Sequence, residues 1–286
     1  MKVLVLSKLS LPEAKRTIPD WDVDWVTVAE DPSEVNFTPD AIVSMGVGVM
    51  EQTYKAIERW SSVPLFCYNW DTYEWVWNNP RPGEYDYHRY GELLKQAKEI
   101  WVPSACTKRR THQWWNLPSK VILSSCPYWD YENVRDGGYV FCSLREIPDR
   151  QWDWFEAACK SLGLPYKMSN HECSLEEYQD LVAGCRFIVS HLYEASTGGL
   201  TLLEAYYLGK PCLLSNSDWN GGVDYLEDRA RYFGSYNGLK FNLMDMWENP
   251  LPLNRDQTIT YVKEHFSSAV MISKIKERLD AYFTRA

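Results

Sequence analysis

Short apolar runs recur along the chain, and between them apolar residues return with helical spacing. Lys2–Leu6, Val23–Val28, Ala41–Met45, Pro64–Tyr68, Ile100–Pro103 and Val121–Ser124 are rich in β-branched and aromatic residues and read as strands. Gln52–Trp60, Tyr87–Lys98 and Ala105–Trp114 read as helices. In the second of these, Tyr90, Leu93, Leu94 and Ala97 share one face. Strands that alternate with helices predict parallel pairing through right-handed crossovers.

The pattern breaks across Asp130–Gly138, a polar stretch that ends in a glycine pair, and then restarts. Strands are predicted at Tyr139–Leu144, Tyr166–Met168, Phe187–Ser190 and Cys212–Ser215. Helices are predicted at Gln151–Leu162, Leu175–Ala183, Leu200–Leu208 and Gln257–Tyr282. Ser174 with Glu177 three residues on forms a capping box for the second helix, and Gly209 followed by Pro211 stops the third. The expected organisation is therefore α/β, with two Rossmann-like domains facing across a cleft. Residues 1–135 form the first domain and 136–255 the second. A terminal helix in 256–286 crosses back toward the first.

Composition narrows the function classes. The chain has 286 residues, 45% of them hydrophobic and 24% charged, which suits two packed domains rather than a disordered chain. With 30 Lys and Arg against 39 Asp and Glu the formal charge is −9, which argues against a general nucleic-acid binder. One stretch departs from this: Ile100–Trp129 has no Asp or Glu and carries Lys108, Arg109, Arg110 and Lys120. The eight cysteines are scattered with no C-x-x-C pair, so no zinc site is expected and a reducing compartment is. The N-terminal apolar run is too short for a signal peptide and no run is long enough to span a bilayer, so the expectation is cytoplasmic. No G-x-G-x-x-G follows either first strand, which removes a Rossmann dehydrogenase.

The most informative segment runs from Ser190 to Ser215. A predicted strand ends, small residues Ala195–Gly199 follow, and a helix starts near Leu200. The first turn of such a helix has unsatisfied N–H groups and a partial positive charge. Gly198 and Gly199 allow a diphosphate close to the backbone, and Ser196 and Thr197 add hydroxyl donors. Glu204, just over one turn in, has the chemistry to bind a ribose diol. Read alone, the same segment is also an ordinary βα turn with a solvated glutamate.

The wider order of residues resembles the donor segment of family 4 glycosyltransferases, in which a first Glu, Gly-Leu, a second Glu-Ala and Gly-x-Pro precede a strand. Glu194, Gly199-Leu200, Glu204-Ala205, Gly209 and Pro211 fall in that order here. The two glutamates are ten positions apart instead of the family's eight, and the strict spacing falls on Ser196. Phe141–Arg150 resembles the family's Gly-Arg-x-x-x-x-Lys, with Arg145 at the Arg and Arg150 in place of the Lys.

The resemblance implies the GT-B fold and a glycosyltransferase that moves a sugar from a UDP- or GDP-sugar to a hydroxyl, with retention and without a metal or other cofactor. Arg145 and Arg150 would stabilise the leaving diphosphate, and Glu194 would lie against the transferred sugar. Leu200, Met168 and Asn220 fall in regions that meet the donor. His191, beside the donor loop, is the histidine with a candidate catalytic role.

The acceptor would then belong to the first domain. Trp70 and Asp71 open a densely aromatic stretch after a strand, and the segment Thr107–Asn116 mixes the cations Lys108, Arg109 and Arg110 with aromatics. Short members of the resembled family include viral enzymes that glycosylate hydroxymethylated pyrimidines in DNA, which makes DNA one acceptor class. A glycan, a lipid-linked sugar or a small molecule are the others. A nucleotide-sugar binder without transferase activity stands beside these. No protein partner is implied.

Overall fold

The computed structural model describes residues 1–8, 21, 23–70, 86–126, 131, 133–143, 152–169, 173–190, 200–216, 221–250 and 253–285. The chain divides into two compact units, Met1–Pro127 with Phe266–Ala286, and Tyr128–His265.

The first unit is built on strands β1 (Val3–Leu6), β2 (Val26–Ala29), β3 (Ala41–Met45), β4 (Leu65–Tyr68), β5 (Glu99–Val102) and β6 (Lys120–Val121). They form one parallel sheet in the order β2-β1-β3-β4-β5-β6. Its helices are α1 (Met50–Arg59), α2 (Tyr87–Gln96) and α3 (Ala105–Trp115). The central strands are buried at every position because both faces are covered, and Ser44 among them is hydrogen-bonded to Thr53. On one face Leu4, Leu6, Ile42, Cys67 and Val102 pack with Met50, Leu93, Leu94 and Trp115 from the helices. On the other, Val3, Val5, Val43, Phe66 and Trp101 pack with Met271, Ile272, Ile275 and Leu279. The expected strand at Val23–Val28 begins later, at Val26. The one at Val121–Ser124 shrinks to two exposed residues at the sheet edge.

The second unit holds β7 (Val140–Ser143), α4 (Trp152–Leu162), β8 (Tyr166–Ser169), α5 (Leu175–Gly184), β9 (Phe187–Ser190), α6 (Leu200–Tyr207) and β10 (Cys212–Ser215). A single turn α7 (Val223–Leu226), β11 (Arg231–Phe233), α8 (Tyr236–Glu248) and α9 (Arg255–Phe266) complete it. The strands are parallel in the order β11-β10-β9-β7-β8. Val140, Cys142, Val189 and Leu213 face α4 and α8, whose Phe155, Cys159, Leu239 and Leu243 close that side. The glycine pair before β7 has a packing cause: Gly138 is at φ +70°, and a Cβ on Gly137 would sit 2.6 Å from the Gly184 carbonyl oxygen.

The terminal helix expected across Gln257–Tyr282 is two helices, α9 and α10 (Ser268–Arg285). Ser267 makes the break, its Oγ accepting from the Val270 N–H at 3.2 Å in the manner of an N-cap. The break also divides the units: α9 packs in the second, where Tyr206 and Tyr261 meet edge to face, and α10 lies on the sheet of the first. Burying the four apolar residues of α10 stabilises that seat by about 1.5–3 kcal/mol each. Glu99 fixes it further. Its carboxylate accepts from Arg278 at 2.7 and 3.0 Å, from Lys120 at 2.5 Å and from the Trp101 indole at 3.0 Å.

None of the eight cysteines is in a disulfide. No helix among the described residues is long and apolar enough to cross a membrane.

Candidate functional site

Sequence order and strand order part company in the second unit between β7 and β9: β8 lies to one side of β7, and β9 lies to the other. In open parallel sheets ligands bind beyond the carboxyl ends of the strands at such a reversal. Here the carboxyl edge is a row of hydroxyls. Ser143 ends β7, Ser169 ends β8, Ser190 ends β9 and Ser215 ends β10. Ser143 and Ser169 are register partners with their Oγ atoms 3.4 Å apart, and Cys142 opposite Val189 brings Ser190 level with them. Small hydroxyl side chains at this edge leave room for a ligand and offer it hydrogen bonds.

Helices α5 and α6 start at the same edge, because each follows a strand that runs toward it. The capping box holds the start of α5: Ser174 Oγ accepts from the Glu177 N–H at 3.2 Å, and Glu177 accepts from the Ser174 N–H at 2.8 Å. At the C-terminal end of α6, Gly209 at φ +74° turns the chain out of the helix, its N–H reaching the Tyr206 carbonyl.

Glu204 sits on α6 and is 1% exposed. Its Oε2 accepts a 2.7 Å hydrogen bond from the Tyr178 hydroxyl of α5. The same hydroxyl lies 2.7 Å from Thr201 Oγ1, three residues before Glu204 on α6. A carboxylate has about four acceptor positions, and Tyr178 takes one of them.

The other residues expected at the donor site divide in two groups. Leu200 is the half-buried first residue of α6. Met168 on β8 packs toward the core shared with α4 and α8. Tyr178 meets Phe141, which points to the opposite face of the sheet from Cys142. The structure therefore places Met168 and Glu204 on opposite faces and does not bring them together. Arg145, Arg150, His191, Glu194, Ser196, Thr197, Gly198, Gly199 and Asn220 lie outside the described residues. In sequence, 144–150 leaves β7 and 191–199 leaves β9, the two strands at the reversal.

On the expected acceptor side, Asp71 is likewise outside the described residues. Trp70 borders the core, its ring edge-on to Tyr68 at 5.7 Å. The basic strip on α3 needs correction. Cys106, Thr107, Arg110 and Thr111 form the buried face of the helix, and Arg110 is only 3% exposed, with Nη1 on Gln113 Oε1 at 3.2 Å. Lys108 and Arg109 are exposed, as is His112. Helical phase, which turns the third cation inward, is the cause.

Two polar groups that sequence reasoning missed complete the picture. Tyr178 is one: it is the polar member of a buried stripe with Val182 and Ala183, and that contrast was its signal. Lys210 is the other. It is buried between Gly209 and Pro211, and its ammonium donates to the carbonyls of Arg135 and Cys185, both at 2.7 Å. Burial pulls its pKa below the usual lysine value. Lys210→Met is expected to lower the unfolding free energy by about 2 kcal/mol, because two carbonyls lose their donor. Urea denaturation reads this directly, and an unchanged midpoint would show that the ammonium is not a tie. Among the described residues no group of three or more His, Cys, Asp or Glu side chains gathers to hold a metal ion.

These two parallel α/β units define the fold seen in GT-B glycosyltransferases. No protein-family profile matches the sequence, and no curated protein matches it. Among solved structures, HepE of Anabaena, in complex with UDP and glucose, superposes with a TM-score of 0.67 at 13% identity, over 98% of this chain and 100% of that one. Sucrose-phosphate synthase from Thermosynechococcus elongatus gives 0.62 at 12% identity, over 87% of this chain and 75% of that one. TarM gives 0.62 at 11% identity over 84% of this chain, which spans 55% of the TarM chain.

Proposed function

We propose that this chain is a glycosyltransferase that takes its sugar from a nucleotide-sugar donor held by the second unit. The observation that carries the reading is the buried carboxylate of Glu204 on the helix that follows β9, at the reversal of strand order. That helix start offers N–H groups to a diphosphate, and the carboxylate one turn further offers paired acceptors to a ribose. Arg145 and Arg150 supply positive charge in the connection that leaves β7 and stabilise the diphosphate as it departs. In the reaction the bond from the sugar's anomeric carbon to phosphate breaks and a bond to the acceptor oxygen forms. The acceptor proton passes to the departing phosphate, so retention needs no separate base.

UDP is the first nucleotide to test, since HepE is described in complex with UDP and with UDP-glucose. The acceptor is a hydroxyl. Its DNA version rests on Lys108 and Arg109 as the exposed cations of α3, against a net charge of −9.

The test is a thermal-shift series with UDP, GDP and their glucose, N-acetylglucosamine and mannose derivatives. A nucleotide at 100 times its Kd stabilises the native state by about 2.7 kcal/mol, which raises Tm by several degrees. Sugar release or transfer from the derivative that binds then separates an enzyme from a binder. No shift with any of these compounds would end the proposal.

A further inference from the structure

Glu204 does not stand alone, and the group that holds it comes from a different helix. The Tyr178 hydroxyl lies 2.7 Å from Glu204 Oε2 and 2.7 Å from Thr201 Oγ1. A phenol has one proton and a carboxylate has none to give, so Tyr178 is the donor in the bond to Glu204. Thr201 Oγ1 lies within hydrogen-bond distance of the same phenol oxygen. Both α6 residues face α5 because they are three apart on one helix.

The phenol is itself constrained. Its ring is buried and meets Phe141 of β7 edge to face at 6.2 Å. Its backbone N–H donates to the Ser174 carbonyl, inside the first turn fixed by the capping box. A rigid donor on a capped helix therefore grips one oxygen of a buried carboxylate. Such a grip selects one rotamer of the glutamate and orients its remaining lone pairs.

We propose that Tyr178 is the positioning residue that aims the Glu204 carboxylate at the donor's ribose, so that discrimination between ribose and deoxyribose depends on a hydroxyl the ligand never touches. The inference rests on the nucleotide-sugar reading of the same site. Thr201 is the second member of the relay, and it holds the phenol oxygen in line.

The experiment measures Kd by calorimetry for UDP, GDP and their 2′-deoxy counterparts with the wild-type chain, Tyr178→Phe and Thr201→Val. The wild type is expected to prefer the ribonucleotide by about 10-fold or more, as for a charge-assisted hydrogen bond lost with the 2′-hydroxyl. In Tyr178→Phe that preference is expected to fall to about 3-fold or less, while the deoxynucleotide Kd stays near the wild-type value. A general loosening of the fold would weaken both nucleotides together and leave their ratio unchanged, and that result overturns the inference. Thr201→Val keeps the phenol and is expected to reduce the preference by about 2- to 5-fold. Should Tyr178→Phe not fold, Thr201→Val decides alone, and an unchanged ratio there overturns the inference. A wild type that binds both sugars equally overturns it as well, with nucleotide binding intact. A wild type that binds neither UDP nor GDP overturns the nucleotide-sugar reading and the inference with it.

Discussion

Glu204→Ala is expected to lower kcat/KM for the sugar donor by about 100-fold, the loss of a pair of charge-assisted hydrogen bonds from a buried site. Burial sets the size of the effect. A carboxylate in water exchanges one partner for another at little gain. At 1% exposure the groups around Glu204 are cut off from bulk water, and a diol that reaches it meets an acceptor with little competition. Alanine removes that acceptor and leaves the Tyr178 hydroxyl without its carboxylate. Glu204→Gln retains shape and one carbonyl oxygen, so its loss should be smaller, about 10-fold. Steady-state kinetics with varied donor, alongside a Tm for each variant, makes the comparison. An alanine variant with native Tm and unchanged donor kinetics would take Glu204 out of the site.

Trp101→Ala should have the largest effect on stability, about 3–5 kcal/mol, in the range for removing a fully buried large aromatic. Trp101 stacks on Phe66 at 5.3 Å with the rings 20° apart, and Phe66 in turn meets Tyr282 of α10 edge to face. Its indole N–H is one of the donors on Glu99, the carboxylate that also receives Arg278. The substitution thus opens a cavity under α10 and removes a donor from the carboxylate that ties it down. Denaturant unfolding measures the loss. Limited proteolysis should cut near Ser267 earlier than in the wild type. A variant that resists protease like the wild type would mean that the apolar seat of α10 suffices without Trp101.

Much of this architecture was legible because parallel strands buried on both faces leave short, predominantly apolar runs. Ala41–Met45, Phe187–Ser190 and Cys212–Ser215 carry that mark and fall where the pattern puts them. The misses have particular causes. β11 is three residues long and mostly half-exposed, too brief for a pattern. In α8 the core positions Leu239, Leu243 and Met246 follow helical spacing, but Gly238 and Asn242 dilute it. α9 and α10 read as one helix because apolar residues continue through Phe266, and a single serine makes the break. Arg110 stands in one run with Lys108 and Arg109 in the sequence, whereas the phase of α3 turns it inward.

At the candidate site, Glu204 was visible through its place after the glycines. Its bond to Tyr178 was not, since the two residues lie 26 positions apart on different helices. Pairings of that kind depend on how two helices lean together, which local spacing does not encode. The serines that end four strands were each visible, yet they become a row only once strand order and register are known.

The seat of α10 has a consequence for biosynthesis. Val3, Val5, Val43 and Phe66 leave the ribosome before the second unit, but the residues that shield them, Met271 through Leu279, leave after it. The second unit is continuous in sequence and has its full complement of residues while the first still shows a bare apolar sheet face. Nascent chains therefore pass through a stage in which the half made first is the half finished last, and that exposed face is what a chaperone would grip during translation.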